Sequence, residues 1–458
     1  MRIGRSGDAD MTEGVIWKQV ISFSIPMMIG LLFQQLYNTV DAVIVGHFVG
    51  DAALAAVGST GSVLNMLVGL CMGLSTGAGI VISQLYGAHD HEKLSRAVHT
   101  AITLTLILSV FATVVGVLIT PSMLRLMKTP DDVIAESTTY LTIYFAGITG
   151  LLIYNMGSGI LRAVGDSRRP LYFLICSAVL NTIGDLIFVV TFDWGVAGVA
   201  AATILSQMVS AVLVLWVLSR TDAPYGLKFR QLGIDRERLH SIFAMGLPSS
   251  IQQVLTSFSN VFVQSYINVF GKECMAGWTS YNKIDAFILI PVQSISMAAA
   301  TFVGQNYGAK KYKRARDGVR ITTMMSFTVC FVATAVVLLL QKYLLMLFSL
   351  EGESMEFGRQ FITIISPFYL TICFNQIYAS ALRGTGSAKL PTVIMLCSFV
   401  GFRQLFLYVN SLLGGSFVAT ALAYPAGWVV CTILLTIAYR RCKLFTLEET
   451  VLTADVSG

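Results

Sequence analysis

Four polar residues within apolar stretches of the chain have the types and spacing to bind and release a small cation. They are Asp41, Asn181, Asp185 and Thr203. Two carboxyl groups in one dry site are suited to exchanging a proton, and carboxylate, amide and hydroxyl oxygens are ligands that a hard cation accepts. We predict ion or proton coupling at these residues, with Asp41 as the main coupling residue and a Na⁺ site at Asp41, Asn181 and Asp185 as one form of it. The alternative is hydrogen bonding between helices without coupling.

Helical spacing and depth both favour a common location for this set. On one helix Gln34, Asn38 and Asp41 share a face, because they are four and three residues apart. Asn181 and Asp185 are also four residues apart. At about 1.5 Å per residue, the four candidates lie roughly 9–18 Å from the outer ends of their segments. We therefore expect them to converge in one pocket in the outer half of the membrane.

The second half of the chain carries a different polar set. Its charged members are Lys283, Asp285 and Arg403, all within apolar segments. An arginine at membrane depth needs a partner, so we predict an Asp285–Arg403 pair, with Lys283 nearer a substrate cavity, where it would favour anionic or zwitterionic compounds. A purely structural ion pair is the alternative. The candidates for lining the cavity are Gln34, Tyr37, Asn38, Gln253, Asn260, Lys283, Asp285 and Arg403.

The composition defines the class of protein that must position these residues. Of the 458 residues, 55% are hydrophobic and only 12% are charged, whereas soluble proteins average about 25% charged residues. So few charges disfavour a soluble enzyme, a nucleic-acid binder and a disordered scaffold. The chain is predicted to be an all-α polytopic membrane protein.

Twelve apolar runs are long enough to cross the membrane, since a helix needs about 20 residues to do so. Their approximate limits are 17–46, 52–85, 97–120, 134–161, 170–192, 195–219, 241–270, 275–306, 320–345, 356–382, 390–412 and 416–439. Cytoplasmic loops collect Lys and Arg. Most of the 31 basic residues fall on one side when both termini are cytoplasmic. We predict this orientation in the plasma (inner) membrane, with the basic cluster at 310–320 facing anionic lipids rather than nucleic acid.

The chain repeats itself at an offset of about 221 residues. SQLYGA at 83–88 resembles GQNYGA at 304–309, and LRAVGDSRRP at 161–170 resembles LRGTGSAKLP at 382–391. Each repeat holds six spans, so both halves face the same way, as in a parallel repeat. The predicted organisation is a cytoplasmic tail at 1–16, six-helix lobes at 17–219 and 241–439, a cytoplasmic linker at 220–240 and a cytoplasmic tail at 440–458.

Several of these motifs resemble the multidrug and toxic compound extrusion (MATE) family of secondary transporters. They are the run QQLYNTVD at 34–41, the Gln-x-x-Gly-Ala ends at Gln84 and Gln305, and the repeated Leu-Arg-x-x-Gly turns. The resemblance covers roughly residues 15–440. It implies a V-shaped pair of pseudo-symmetric six-helix lobes and export of amphipathic, often cationic, compounds by alternating access, driven by inward Na⁺ or H⁺ flow. It also implies ion coupling at Asp41, Asn181, Asp185 and Thr203.

What the sequence lacks limits the alternatives. It contains no G-x-x-x-x-G-K-[ST] phosphate loop, so we expect no direct use of ATP. We expect no cofactor besides the coupling ion, no enzymatic activity, small molecules and membrane lipids as partners, and a functional monomer. One alternative is a lipid-linked oligosaccharide flippase of the same superfamily, which the basic residues favour weakly. A lipid-modifying enzyme is a second, but no catalytic cluster is evident at a membrane face.

Overall fold

The described part of the chain is built from helices. The computed structural model describes residues 10–127, 129–348, 351–442 and 444. Most of the predicted terminal tails therefore lies outside the described residues, as do Lys128 and Lys443. The helices are α1 (Ile16–Ile44), α2 (Asp51–Gly87), α3 (His91–Leu126), α4 (Asp131–Ala146), α5 (Ile148–Ala163), α6 (Arg168–Asp185), α7 (Gly195–Arg220), α8 (Arg236–Asn268), α9 (Lys272–Gly308), α10 (Tyr312–Met346), α11 (Gly352–Ile365), α12 (Tyr369–Gly384), α13 (Lys389–Leu396), α14 (Arg403–Leu412) and α15 (Phe417–Arg440).

These helices coincide with the twelve predicted spans, some of which consist of more than one element. The fourth span is α4 and α5, bent by 49° at Gly147. The tenth is α11 and α12, separated by the 3₁₀ turn Ser366–Phe368. Three spans contain a π-helical segment, at Val45–Val49, Leu186–Thr191 and Cys397–Phe402. Such segments often occur at functional sites.

One helix departs from the ordinary composition of a span. In the described residues, ten helical segments are long and apolar enough to cross a membrane, or eleven with the bent α4–α5 pair. The remaining helix, α8, has 33 residues and ample length. Its polar stripe of Gln253, Ser257, Asn260, Gln264 and Asn268 lowers its mean hydropathy. A polar stripe on a helix of this length points to a face that does not contact lipid.

The backbone repeats the sequence repeat. Positive φ angles occur at Gly50 and Gly271 (113° and 92°), at His89 and Lys310 (54° and 57°), and at Gly165 and Gly386 (92° and 86°). The members of each pair are separated by the same offset as the repeated sequence motifs. After α2 and α9 the chain also makes the same hydrogen bonds, such as Ala88 N to Gln84 O and Ala309 N to Gln305 O, both 2.9 Å. Helices often end at a residue in the left-handed conformation, which is usually glycine. Here His89 and Lys310 take that position instead.

The chain divides into two compact units, each containing half of two long helices. In the described residues, unit 1 is Asp10 with Ile29–Ser250, and unit 2 is residues 11–28 with the chain from Ile251 onward. The divisions within α1 and α8 follow Pro26 and Pro248 by two residues each. The predicted linker at 220–240 lies within unit 1. The unit boundaries, at 28/29 and 250/251, also differ from the predicted lobe boundaries at 17–219 and 241–439.

Polar contacts explain why residues 11–28 belong to unit 2. Met11 N donates to Gln305 Oε1 at 2.9 Å, and Asn306 Nδ2 donates to Met11 O at 3.0 Å. Arg314 donates to the carbonyl oxygens of Met11, Glu13 and Gly14. Buried apolar side chains of the same segment, such as Phe23, pack with α9. The segment before α1 is therefore part of the second core.

Small residues allow α2 and the first part of α8 to touch along their backbones in unit 1. A Cβ at Gly77 would lie 2.3 Å from Gly246 N, and a Cβ at Gly73 would lie 2.4 Å from Ser250 N. Gly-x-x-x-Gly spacing is a common basis of such close approach in membranes. Ser250 Oγ donates to Leu70 O at 2.7 Å in the same contact.

We expect Gly77→Leu to destabilise unit 1, because the new side chain meets backbone atoms that cannot move aside. Overpacking costs about 1–3 kcal/mol or more, so the melting temperature in detergent should fall by roughly 5–10 °C. Gly58→Leu is the matched control on the same helix, since a Cβ there meets nothing within 4 Å. Equal melting temperatures for the two variants would contradict the close contact.

Candidate functional site

Unit 1 brings the four predicted coupling residues into one buried pocket. Asp41 comes from the last turn of α1, Asn181 and Asp185 from the end of α6, and Thr203 from α7. Asp185 is 0% exposed, Asn181 1% and Thr203 5%. Asp185 directly precedes the π-helical segment Leu186–Thr191, and Asp41 lies four residues before the one at Val45–Val49. Both acids therefore lie where the regular helical hydrogen-bond pattern changes.

Hydrogen bonds connect the neutral members of the pocket. Asn181 Nδ2 donates to Thr203 Oγ1 at 3.4 Å, and Thr203 Oγ1 donates to Val199 O at 3.0 Å. Tyr37 lies next to the Thr203 side chain and to Asp41. These bonds fix the orientation of the Asn181 amide, so its Oδ1 remains an available acceptor.

The two carboxyl groups lie within hydrogen-bonding reach of each other. Such a bond exists only when one of them carries a proton, because an ionised carboxylate only accepts. Asp41 Oδ1 and both carboxyl oxygens of Asp185 are buried and receive no donor from the described residues. Neither acid takes part in an ion pair with a basic residue in that part of the chain. The pocket therefore lacks positive charge of its own.

Two tyrosines next to the acids were missed from the sequence. Tyr140 and Tyr144, on α4, are 4% and 8% exposed, and their ring centroids are 6.2 Å apart. Both lie near enough to Asp41 to interact with it electrostatically. Their i, i+4 spacing within an apolar span was the available signal, but the same spacing is typical of plain helix packing. With Tyr37 they give the pocket a wall that is apolar but carries hydroxyl groups.

Three of the predicted cavity residues, Gln34, Asn38 and Gln253, have exposed amide side chains. Asn38 and Gln34 are exposed on α1, one and two turns before Asp41, and Gln253 is exposed on α8. Within the described residues, the side chains of these three residues make no hydrogen bond with another protein group. Their amides are therefore available to a ligand.

The predicted Asp285–Arg403 pair is wrong. Asp285 Oδ1 accepts from Tyr281 Oη at 3.4 Å, and Tyr281 Oη lies 2.9 Å from Tyr369 Oη. Arg403 Nη2 donates instead to Ser259 Oγ at 2.7 Å and to Asn260 Oδ1 at 2.9 Å. Each charge is thus held by neutral groups, because a tyrosine on α9 donates to the acid while the guanidinium donates to side chains of α8.

Lys283 has no acidic partner in the described residues either. Its side chain is exposed, and Nζ lies 5.4 Å from the centre of the Phe348 ring. No group of three or more His, Cys, Asp or Glu residues suited to a metal occurs in the described part of the chain. A Na⁺ ion would need only the two carboxylates with neutral oxygens, so this finding does not bear on the predicted cation site.

Comparison with known proteins identifies the family from both halves of the chain. The MatE family model matches residues 26–187 and, again, residues 248–409. The chain belongs to the MatE family. The two matches are equally long. The second match begins 222 residues after the first, which agrees to within one residue with the offset of the repeated backbone turns.

Relatives and solved structures extend this result over nearly the whole chain. The chain is 28% identical over 435 residues to "Probable multidrug resistance protein YoeA" of Bacillus subtilis, covering 92% of both chains. It is 21% identical over 402 residues to "Multidrug export protein MepA" of Staphylococcus aureus, covering 87% of this chain and 88% of the relative.

Two solved structures are each 25% identical to the chain. One, an outward-facing multidrug resistance MATE family transporter, has a TM-score of 0.90, with 97% of this chain and 99% of the other covered. The other, a transporter from Pyrococcus furiosus, is described as having a binding pocket of reverse polarity; it has a TM-score of 0.89 and covers 96% of this chain and 98% of the other. The predicted fold class, an all-α membrane protein with twelve spans in two halves, is confirmed. The protein is a multi-pass protein of the plasma membrane, and the cytoplasmic location of both termini stays a prediction.

We expect Tyr369→Phe to destabilise unit 2, because it removes the hydroxyl that donates to Tyr281, whose own proton goes to Asp285. Leaving a buried acceptor short of a donor costs about 1–3 kcal/mol. Thermal unfolding in detergent measures the loss. Tyr408→Phe is the matched control, since Tyr408 is exposed on α14. If both substitutions lower the melting temperature equally, the tyrosine hydroxyl does not support Asp285.

Proposed function

We propose that this protein exports small amphipathic compounds across the plasma membrane in exchange for an entering cation, H⁺ or Na⁺. The observation that carries the proposal is the Asp41–Asp185 pair in unit 1: Asp185 is buried, Asp41 is half-buried, and neither has a basic partner among the described residues. The multidrug resistance and export proteins related to the chain support the choice of substrate class. Their names point to multidrug export rather than to a lipid-linked oligosaccharide flippase, and that alternative is not favoured.

The electrostatics of the pair make an exchangeable cation necessary. Each ionised carboxylate at the membrane centre costs about 2.5–3.5 kcal/mol on insertion scales, and two at close range also repel each other. A proton or a monovalent cation between them relieves both terms. The state with two bare carboxylates is therefore disfavoured whenever the pocket is closed to water.

This cost is the physical basis of coupling. A transporter couples two flows when the conformational change is allowed only with one ligand or the other bound. Cation binding at Asp41 and Asp185 permits the change in one direction, and substrate binding after the cation leaves permits the return. The π-helical segments beside both acids are elements whose local geometry can respond to occupancy.

Energy from one cation is sufficient for useful export. A monovalent charge moving through 100 mV supplies about 2.3 kcal/mol. Since about 1.4 kcal/mol corresponds to a tenfold ratio, an uncharged compound could be concentrated roughly fiftyfold per cation. A compound with one positive charge makes the exchange electroneutral, so only the concentration gradient of the cation drives it.

Separately imposed ion gradients test the coupling. We expect purified protein in proteoliposomes to move the amphipathic, zwitterionic dye tetramethylrhodamine under an inward H⁺ or an inward Na⁺ gradient, and to stop when an ionophore collapses that gradient. Fluorescence of the dye records the transport. Transport at the same rate with and without either gradient would contradict antiport. The gradient that drives transport identifies the coupling ion.

Substitution of the acids tests the site. We expect Asp41→Asn to reduce gradient-driven efflux to the level of empty liposomes and Asp185→Asn to reduce it at least about tenfold, because an amide carries no exchangeable charge. Asp222→Asn is the matched control, since Asp222 is exposed in the predicted linker. Undiminished ion-driven efflux by Asp41→Asn would remove Asp41 from the mechanism. Equal thermal stability of the three variants shows that the loss is not a folding defect.

A further inference from the structure

Arg403 is a permanent positive charge enclosed in unit 2 without a matching acid. It is 4% exposed, and a guanidinium stays protonated in proteins. None of the ion pairs in the described residues includes it. The neutral acceptors that it contacts cannot cancel its charge. Placing an arginine at membrane depth is costly, and no acidic partner in the described residues offsets that cost.

The guanidinium has unused hydrogen-bonding capacity on a defined side. Nη2 is occupied by Ser259 Oγ and Asn260 Oδ1. One face covers the Tyr424 ring, whose centre is 4.5 Å from Cζ. Nε is buried and has no acceptor, whereas Nη1 makes no hydrogen bond within the described residues and is not fully buried. Nη1 is therefore the donor of this guanidinium that combines unused hydrogen-bonding capacity with some exposed surface.

Asn260 supplies a second donor beside it. Because a guanidinium only donates, the contact at 2.9 Å fixes the amide with Oδ1 toward Arg403 and Nδ2 away from it. Asn260 is exposed on the polar stripe of α8, and among the described residues its Nδ2 donates to no protein group. Two donors, one of them cationic, thus adjoin each other without acceptors, which is the pattern that recognises a carboxylate or another oxyanion.

The repeat shows that this cluster replaces the cation pocket of unit 1. The two family matches begin at 26 and 248 and end at 187 and 409. Counted from the first residues, Asn38 and Asp41 correspond to Asn260 and Val263; counted from the last residues, Asn181 and Asp185 correspond to Arg403 and Leu407, and the turn between the two segments has the offset of 221. Val263 and Leu407 are 1% and 0% exposed, so the second unit lacks both negative charges at these positions and carries a positive one.

We propose that Arg403 and Asn260 form an anion-binding subsite in unit 2 that takes the carboxylate, or a similar singly charged oxyanion, of an amphipathic substrate. The inference rests on the proposed export function and names the class of substrate: compounds with an anionic group, including zwitterions. Arg403 supplies charge and one donor, and Asn260 supplies a second donor and helps to orient the guanidinium. Tyr424 supports the guanidinium from its face.

A matched pair of dyes tests the subsite by binding alone. Tetramethylrhodamine carries a free carboxylate, and its methyl ester has the same ring system without that charge. We expect Arg403→Gln to weaken tetramethylrhodamine binding to purified protein in detergent by about ten- to a hundredfold, the range for hydrogen bonds to charged groups. Binding of the ester should change less than about twofold. Fluorescence anisotropy measures both affinities.

Controls separate charge recognition from folding. Arg359→Gln removes an exposed arginine from α11 of the same unit and should leave both affinities unchanged. Asn260→Ala keeps the charge and should weaken only the carboxylate dye, by roughly a few-fold, so the proposal stays testable if Arg403→Gln does not fold. Equal weakening of both dyes by Arg403→Gln, or no weakening of either, would overturn it.

An anionic lipid headgroup is the other source of the same chemistry. Phosphatidylglycerol added to the micelles should not displace tetramethylrhodamine from the unsubstituted protein more than phosphatidylcholine does. Selective displacement that vanishes in Arg403→Gln would assign the site to lipid and contradict a substrate subsite. Because binding in detergent needs no gradient, loss of ion-driven efflux with carboxylate binding intact refutes only the export proposal. The converse result refutes only the subsite.

Discussion

The repulsion between two carboxyl groups in one dry pocket is the constraint on which unit 1 depends. Asp41 and Asp185 lie within hydrogen-bonding reach, and the described residues offer three of their four oxygens no donor. A soluble protein would relieve this cost with a lysine, an arginine or water. In the described residues neither acid has a basic partner. This lack of compensation makes the pocket unfavourable when both carboxyl groups are ionised, and it is the reason for the proposal that a small cation binds there.

The two units place opposite chemistry on one repeated scaffold. The backbone turns at His89 and Lys310, and at Gly165 and Gly386, show that the helix ends are the same in both. Polar side chains between those ends are under no such geometric requirement. The two halves therefore share the helix ends that define the six-helix unit. The side chains between those ends differ: unit 1 has two neighbouring acids, and unit 2 has an arginine with no acidic partner in the described residues.

Much of the fold follows from the sequence, because apolar length and the repeat act along the chain. Both report where a helix starts and stops, and the repeat also relates one half to the other. Depth along a helix was likewise readable, and the structure places Asp41, Asn181, Asp185 and Thr203 together. The sequence does not show how each helix is rotated about its axis. Asp285 and Arg403 have similar predicted depths, which suggests a pair, but their side chains face different neighbours. Tyr369, on a helix that is distant in sequence, contacts Tyr281, the residue that donates to Asp285. The assignment of residues 11–28 to unit 2 depends on Gln305 and Arg314, which no local pattern connects to the N-terminus.

The sign of the substrate charge determines which force drives the exchange. With a negative cell interior, an entering monovalent cation moves down the membrane potential. If the exported compound is a cation, its own charge cancels that gain. If the compound is a zwitterion, the gain of about 2.3 kcal/mol per 100 mV is retained, and if it is an anion the gain doubles because its exit is also favoured. A carrier that binds its coupling cation at Asp41 and Asp185 and an anionic group at Arg403 would therefore extract more work from each cation than one restricted to cationic compounds. The arginine in unit 2 is costly to keep in the membrane, and this larger driving force would be a functional reason to keep it despite that cost.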